Sequence, residues 1–266
     1  MADNDIFARI STARRIWAIG AVHGEVEKLR EIHRIVLSQF ADGDRLVYLG
    51  NFMGRGPHVR ATIEEMLRAR RRLLARPGMF VEDIVFLRGS QEEMWQKVMQ
   101  LQFAPNPREV LPWVINQGVG ATIEAYGGNL EEGLRAVRDG AVSITRWTNA
   151  LRATLRNAMG HGELMSSLRR AALTDDGLVL LVNAGIDITR PLTAQSDSFW
   201  WGGTDFASID APYGEVRRIV RGFDRASPGA VDTEFTLTLD GGCGRGGRLL
   251  AGLLGGQGEV QAIYEA

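Results

Sequence analysis

Arg45-Leu46-Val47-Tyr48-Leu49-Gly50-Asn51-Phe52-Met53-Gly54-Arg55-Gly56-Pro57 sets a short apolar, β-prone run against a glycine-rich loop. An amphipathic helix is expected next, from about His58 to Leu74. The same order occurs before it. Arg15–Ile19 reads as a strand ending at Gly20, the loop Gly20-Ala21-Val22-His23-Gly24 follows, and Glu25–Phe40 places apolar side chains at Val26, Leu29, Ile32, Ile35, Val36 and Phe40. It occurs again after it, with Ile84–Leu87, the loop Gly89-Ser90-Gln91-Glu92 and a helix through Leu101. Strand, loop and helix repeated three times predict a mostly parallel sheet. Right-handed crossovers place the three post-strand loops on one edge of that sheet.

The middle of the chain, about residues 102–170, reads as helices with loops and is expected to be a helical insertion or cap. The last third returns to strands at Leu178–Val182, Arg218–Val220, Phe235–Leu239, Arg248–Leu254 and Val260–Tyr264. Turns at Asp240-Gly241-Gly242 and Gly255-Gly256-Gln257-Gly258 suggest antiparallel hairpins among the last three. The expected sum is an α/β protein with a pair of mixed sheets flanked by helices. Residues 1–14 read as a tail before a single domain at 15–266.

Composition narrows the function. The chain has 266 residues, 45% of them hydrophobic, so it can bury a sizeable core. Lys and Arg number 31 against 32 Asp and Glu, which gives no reason to expect nucleic acid as a partner. The lone Cys243 excludes an intrachain disulfide and a cysteine-cluster metal site. Four histidines are few for a metalloenzyme of this size. No apolar run approaches the roughly 18–20 residues of a membrane span, and the first residues lack the apolar core of a secretory signal. A soluble, cytoplasmic protein is expected.

Two more strands end in candidate loops: Asn183-Ala184-Gly185 and Gly222-Phe223-Asp224. Singly, such glycine-bounded loops are mostly turns. In this order and spacing they resemble the calcineurin-like metallophosphoesterases, in the phosphoprotein-phosphatase and diadenosine-tetraphosphatase branch. That family reads GDxHG, GDxxDRGP, GNHE, a strand ending HAG and a strand ending GHT. Here the frame reads GAVHG, GNFMGRGP, GSQE, NAG and GFD. Flanking text agrees at Asn116-Gln117-Gly118, Ala121-Thr122, Tyr126-Gly127, Ile186-Asp187, Arg190-Pro191-Leu192 and Gly247-Arg248-Leu249. The resemblance spans about Arg15 to Leu254. It implies a four-layer α/β/β/α sandwich.

The resemblance also implies a site with two divalent metals, such as manganese, sharing a bridging water that attacks phosphorus. Carried over position by position, the six ligand places fall on Ala21, His23, Asn51, Ser90, Asn183 and Phe223. Only His23 matches the family, and no carboxylate remains. The aspartate that supports the general acid falls at Gly54. The proton donor itself falls at Gln91, which has no titratable proton. The phosphate-clamping arginine survives as Arg55, while Trp200-Trp201-Gly202 lacks the arginine the family carries after its tryptophan. Without carboxylates, most of the charge that would hold two dications is gone. No metal cofactor is therefore expected, and the reading is a pseudophosphatase.

Each of these residues also has a plainer reading. His23 reads first as a histidine hydrogen-bonded inside the former cleft and second as a remnant ligand. Arg55 reads as a pair for Glu92, or as a clamp on a phosphate. Phe223 is expected to fill the metal space against Met53. Arg68–Arg72 reads as a solvated helix face, His161-Gly162-Glu163 as a chance echo, Gly241–Gly247 as a hairpin and Cys243 as an inert thiol. Phe199-Trp200-Trp201 is either core or a partner-binding patch. Three functions follow: a non-catalytic module that binds a protein partner, a residual phosphoesterase using His23, Asn51, Asn183 and Arg55, or a sensor of phosphate or nucleotide without hydrolysis.

Overall fold

A computed structural model describes residues 7–266. Strands β2 (Arg15–Ile19), β3 (Asp44–Tyr48) and β4 (Ile84–Phe86) pair in parallel, as the three repeats require. The intervening helices are α1 (Val26–Gln39) and α2 (Val59–Leu74), and α3 (Ser90–Met99) follows β4. Two C-terminal strands, β10 (Leu250–Gly255) and β11 (Val260–Glu265), extend this sheet antiparallel, in the order β11-β10-β2-β3-β4.

The second sheet has the order β1-β5-β6-β7-β9-β8. Its strands are β1 (Phe7–Ile10), β5 (Ala171–Thr174), β6 (Val179–Val182), β7 (Arg218–Arg221), β8 (Gly229–Asp232) and β9 (Thr236–Asp240). It too is mixed: β6, β7 and β9 run parallel, and β8 returns antiparallel on the edge.

Period-two alternation along these strands stacks the layers. On β2, Ile16 and Ala18 face the other sheet, where they meet Val179 and Leu181 of β6 and Leu237 and Leu239 of β9. Trp17 and Ile19 point the other way, into the core shared with α1, α2 and the helical region. On β6, Leu180 and Val182 turn outward to Phe199, Trp200 and Phe206. Both faces of each central strand are buried, which explains their near-continuous apolar sequence. The result is the four-layer α/β/β/α sandwich, with a thin outer layer built on the short helix α9 (Ser198–Trp201).

The helical region contains α4 (Pro107–Val114), a π-helical turn at Ile115–Val119, α5 (Gly120–Ala125), α6 (Leu130–Asp139), α7 (Ala141–Asn157) and α8 (His161–Ser166). It packs into the same core as α1–α3. Among the described residues, no helix is long and apolar enough to cross a membrane.

The structure departs from the sequence reading in two places. Phe7–Ile10, assigned to the N-terminal tail, pairs in parallel with β5, so the described fold begins before Arg15. A four-residue strand has too little pattern to declare itself without its partner. Residues 1–6 of that tail lie outside the described residues. The turn after Asp240 does not close a hairpin: β9 belongs to one sheet and β10 to the other. Gly241 and Gly242 merely bridge to Arg248 while the chain crosses between sheets. The second turn does close a hairpin, β10–β11, with a register shift at Leu253/Leu254.

Candidate functional site

All five glycine-bounded loops meet at one place, joined by hydrogen bonds that form a closed ring. The His23 amide donates to the Asn51 carbonyl at 2.8 Å, and the Ala21 amide donates to Gly222 at 3.0 Å. The Gly222 and Phe223 amides donate to the Asn183 carbonyl at 3.0 and 2.9 Å. Asn183 Nδ2 donates to the Leu49 carbonyl at 2.7 Å, and the Gln91 amide donates to Asn51 Oδ1 at 2.9 Å. Gly89 permits this approach, since a Cβ there would lie 2.3 Å from Asn51 Oδ1 and 2.8 Å from Asn183 Nδ2.

His23, Asn51 and Arg55 all have left-handed backbones, at φ 51°, 54° and 56°. Such conformations cost non-glycine residues energy and concentrate where a site over-determines the chain. The helical region holds this loop in place. The Arg55 amide donates to the Gly118 carbonyl at 2.9 Å, and the Gly54 amide donates to Thr122 Oγ1 at 3.0 Å. Gly118, at φ 110° in the π-helical turn, leaves room for the Arg55 stem, which a Cβ would approach to 2.6 Å. The Asn116–Thr122 text noticed in the sequence thus acts on the second loop.

Glu92 accepts hydrogen bonds from the amides of Asn51, Met53 and Gly89 at 2.8, 3.1 and 2.8 Å. It is the buried staple joining the second and third loops, not a partner of Arg55. This corrects the pairing expected from sequence.

At the six carried-over positions, Ala21 and Phe223 offer no lone pair. Asn51 Oδ1 is occupied by the Gln91 amide and by Ser90 Oγ, the latter at 3.1 Å, while its Nδ2 is buried without a partner. Asn183 Oδ1 is buried without a partner as well. His23 is 1% exposed, and its ring has the Met53 backbone as its polar neighbour, with no side-chain hydrogen bond among the described residues. Burial, then the facing charge of Arg55, lowers its pKa to about 3. The Phe223 ring meets the imidazole edge-on at 5.7 Å and has no part in the core cluster that contains Met53.

Gln91 stands against Gly54: a Cβ at Gly54 would fall 2.0 Å from Gln91 Oε1. Gln91 Nε2 donates to the Gln117 carbonyl at 2.9 Å. Gln91 and the backbone at Gly54 are therefore adjacent, and neither residue carries a titratable proton.

The ring opens into a cleft of about 620 Å³. Arg55, Arg221, Arg225 and Arg245 line it against two lining carboxylates, Asp205 and Asp224. A nearly neutral chain thus carries a local excess of positive charge. Arg221 is paired with Asp224 and lies over the Phe206 ring at 4.2 Å. The Arg55 guanidinium has no ion-pair partner among the described residues, and its Nε is buried without a hydrogen bond. Desolvation, then repulsion from Arg245, pulls its pKa below the usual arginine value.

Sequence reasoning missed Arg221, Arg225 and Arg245. The only available signal for Arg245 was a charge inside the Gly241–Gly247 segment, which was assigned to a hairpin. Of the aromatic triplet, Phe199 and Trp200 are core, whereas Trp201 is half-buried, lines the cleft and faces the exposed Trp113 at 5.8 Å. Burial pushes the Cys243 thiol up to about 12, in keeping with an inert side chain. His161 accepts or donates at 2.7 Å with Tyr126 Oη in the helical core, apart from the cleft lining.

A pair of dications does not fit this donor set. Two of six positions have no donor atom, none is anionic, and Asn51 Oδ1 is already hydrogen-bonded. Among the described residues, no group of three or more His, Cys, Asp or Glu side chains is placed to hold an ion.

No protein-family model matches the sequence, and no curated protein matches it. Solved structures do match. One assigned as a diadenosine tetraphosphatase aligns over 98% of this chain and 97% of its own, at TM-score 0.55 and 16% identity. A protein serine/threonine phosphatase from Saccharomyces cerevisiae aligns over 97% of this chain and 82% of its own, at TM-score 0.50 and 13% identity. A cold-active protein tyrosine phosphatase aligns over 97% and 81%, at TM-score 0.51 and 16% identity. The chain shares the α/β/β/α fold of these phosphatases, and at these identities the likeness concerns fold alone.

Proposed function

We propose that this protein is a non-catalytic phosphatase-fold module whose cleft captures a phosphate-bearing segment of a protein partner. The observation that carries the reading is the contrast at the ring. The loops keep their strained backbones and their unpaired Arg55, while the groups that would hold metals and deliver a proton are replaced by Ala21, Asn51, Gly54, Gln91, Asn183 and Phe223. A guanidinium held without a counter-ion in a half-desolvated cleft favours an anionic ligand. Nothing at the ring supplies an activated water or a general acid, so a bound phosphate ester would stay intact.

The test combines three measurements on the purified protein: metal content, turnover of nitrophenyl phosphate with added manganese, and thermal shift with phosphorylated and unphosphorylated peptides. The expected result is no stoichiometric dication, no turnover and stabilisation by phosphopeptide only. Two bound metals with robust turnover would replace this reading with a residual phosphoesterase.

A further inference from the structure

The charge that two metals would supply must come from elsewhere if an anion is to sit at this ring. Among the cations that line the cleft, Arg245 is the one the fold brings from outside the five loops to the side of the first loop. The β9–β10 crossing brings Gly244 against the first loop so closely that a Cβ would lie 2.3 Å from His23 Cβ and 3.4 Å from Arg55 Cβ. Gly244 has φ 78°, which a side chain would resist. The next residue, Arg245, extends over Phe223, with its guanidinium carbon 5.8 Å from the ring centroid. It therefore lies above one of the carried-over metal positions, across from Arg55.

The outer donors of Arg245 are held by the neighbouring loop. Nη1 donates to the Arg225 carbonyl at 2.8 Å, and Nη2 donates to the Asp224 carbonyl at 3.1 Å and to Ser227 Oγ. These partners are neutral. Arg245 also forms a long ion pair with the buried Asp240 carboxylate at 3.6 Å, which accepts from the amides of Asp224 and Gly242 at 2.8 and 2.9 Å as well, so one carboxylate stands against the two cations Arg55 and Arg245. Arg55 and Arg245 so line the same cleft close enough to repel each other, and Arg55 has no ion-pair partner among the described residues. Like charges held this way repel until an anion lies between them.

We infer that Arg55 and Arg245 form a metal-independent cradle for a phosphate monoester dianion, with Arg245 supplying the positive charge that the absent metal ligands can no longer hold. This rests on the proposed binding function and adds the residue and the metal independence to it. Arg225, on the cleft wall, is an accessory cation, whereas Arg72, on the solvent face of α2, takes no part.

The test is titration calorimetry on the full chain with chelator present, using inorganic phosphate, a phosphoserine peptide and a phosphotyrosine peptide. Wild type and Arg72→Ala should bind a phosphate-bearing probe equally. Arg55→Ala and Arg245→Ala should each weaken binding by tenfold or more, in line with loss of a charge-assisted hydrogen bond. Arg245→Lys should recover only part of it, because one ammonium cannot present a planar fork. Raised salt should weaken wild type more than either alanine variant. If wild type binds and Arg245→Ala binds equally well, the cradle is wrong and the binding function stands. Binding that appears only when manganese replaces the chelator also overturns the cradle. If no probe binds wild type, the binding function itself falls.

Discussion

His33 and His23 are equally buried, at 2% and 1% exposure, yet they sit in opposite surroundings. His33 bridges α1, α2 and β3: Nδ1 lies 2.9 Å from Glu65 Oε1 and Nε2 lies 2.8 Å from Tyr48 Oη. Glu65 in turn accepts from Arg68 at 2.6 Å. Every polar atom of that imidazole is used. His23 has no side-chain partner among the described residues and only the Met53 backbone beside it, on a strained backbone, next to an unpaired arginine. A buried polar group kept for stability is normally satisfied by its own fold. The weakly partnered His23, at the meeting point of five loops, is what the proposed binding function would explain.

The contrast can be broken by substitution. Glu65→Ala strands His33 and Arg68, and should cost about 3 kcal/mol in denaturant unfolding. A loss under about 1 kcal/mol would show that the His33 cluster is not the stabilising partner in this comparison. Gly244→Ala forces a side chain into a left-handed position against His23, and should cost about 2 kcal/mol while abolishing phosphopeptide binding. Unchanged binding would separate the β9–β10 crossing from the ring.

Acid provides a third way to sharpen the contrast. The His23 pKa is lowered from its ordinary value to about 3, so the unfolded chain binds the proton first. Stability from this residue is complete above about pH 6.5 and falls as pH drops toward 3, by about 1.4 kcal/mol per pH unit. His161 is shifted in the same direction by burial. His23→Gln should therefore flatten the acid limb of the stability profile more than His161→Gln does. The smallest effect is expected for His23→Phe at neutral pH. Replacing the buried imidazole by an apolar ring should leave stability within about 1 kcal/mol of wild type. A large loss would mean that the imidazole has a partner in solution.

The order of strands and helices in the first half was legible because each element carries its own period: alternating strands ended by glycine, then helices with apolar side chains three and four apart. The ring was legible too, since Gly20, Gly50, Gly89, Gly185 and Gly222 mark the strand ends that converge. What each side chain does there was less so. Arg55 was expected to meet Glu92, but Glu92 spends its oxygens on three backbone amides that only the folded loops bring within reach. β1 and β8 were invisible because each is a short edge strand defined by its neighbour.

The sequence by itself determined the sandwich, the five loops and the residue types they carry, with Ala21 and Asn51 where the resemblance expects carboxylates and Gln91, Asn183 and Phe223 where it expects imidazoles. These are local facts of residue type and spacing. The tertiary structure alone decided that Asp240-Gly241-Gly242 crosses between sheets instead of closing a hairpin. That crossing carries Arg245 across 221 positions of chain to face a loop at residue 24, as the Cys243 Sγ bond to the Val22 carbonyl at 3.1 Å records next door. Charge placement at a cleft depends on which strands become neighbours, and strand pairing at long separation is set by the closing of the whole core, not by any local period.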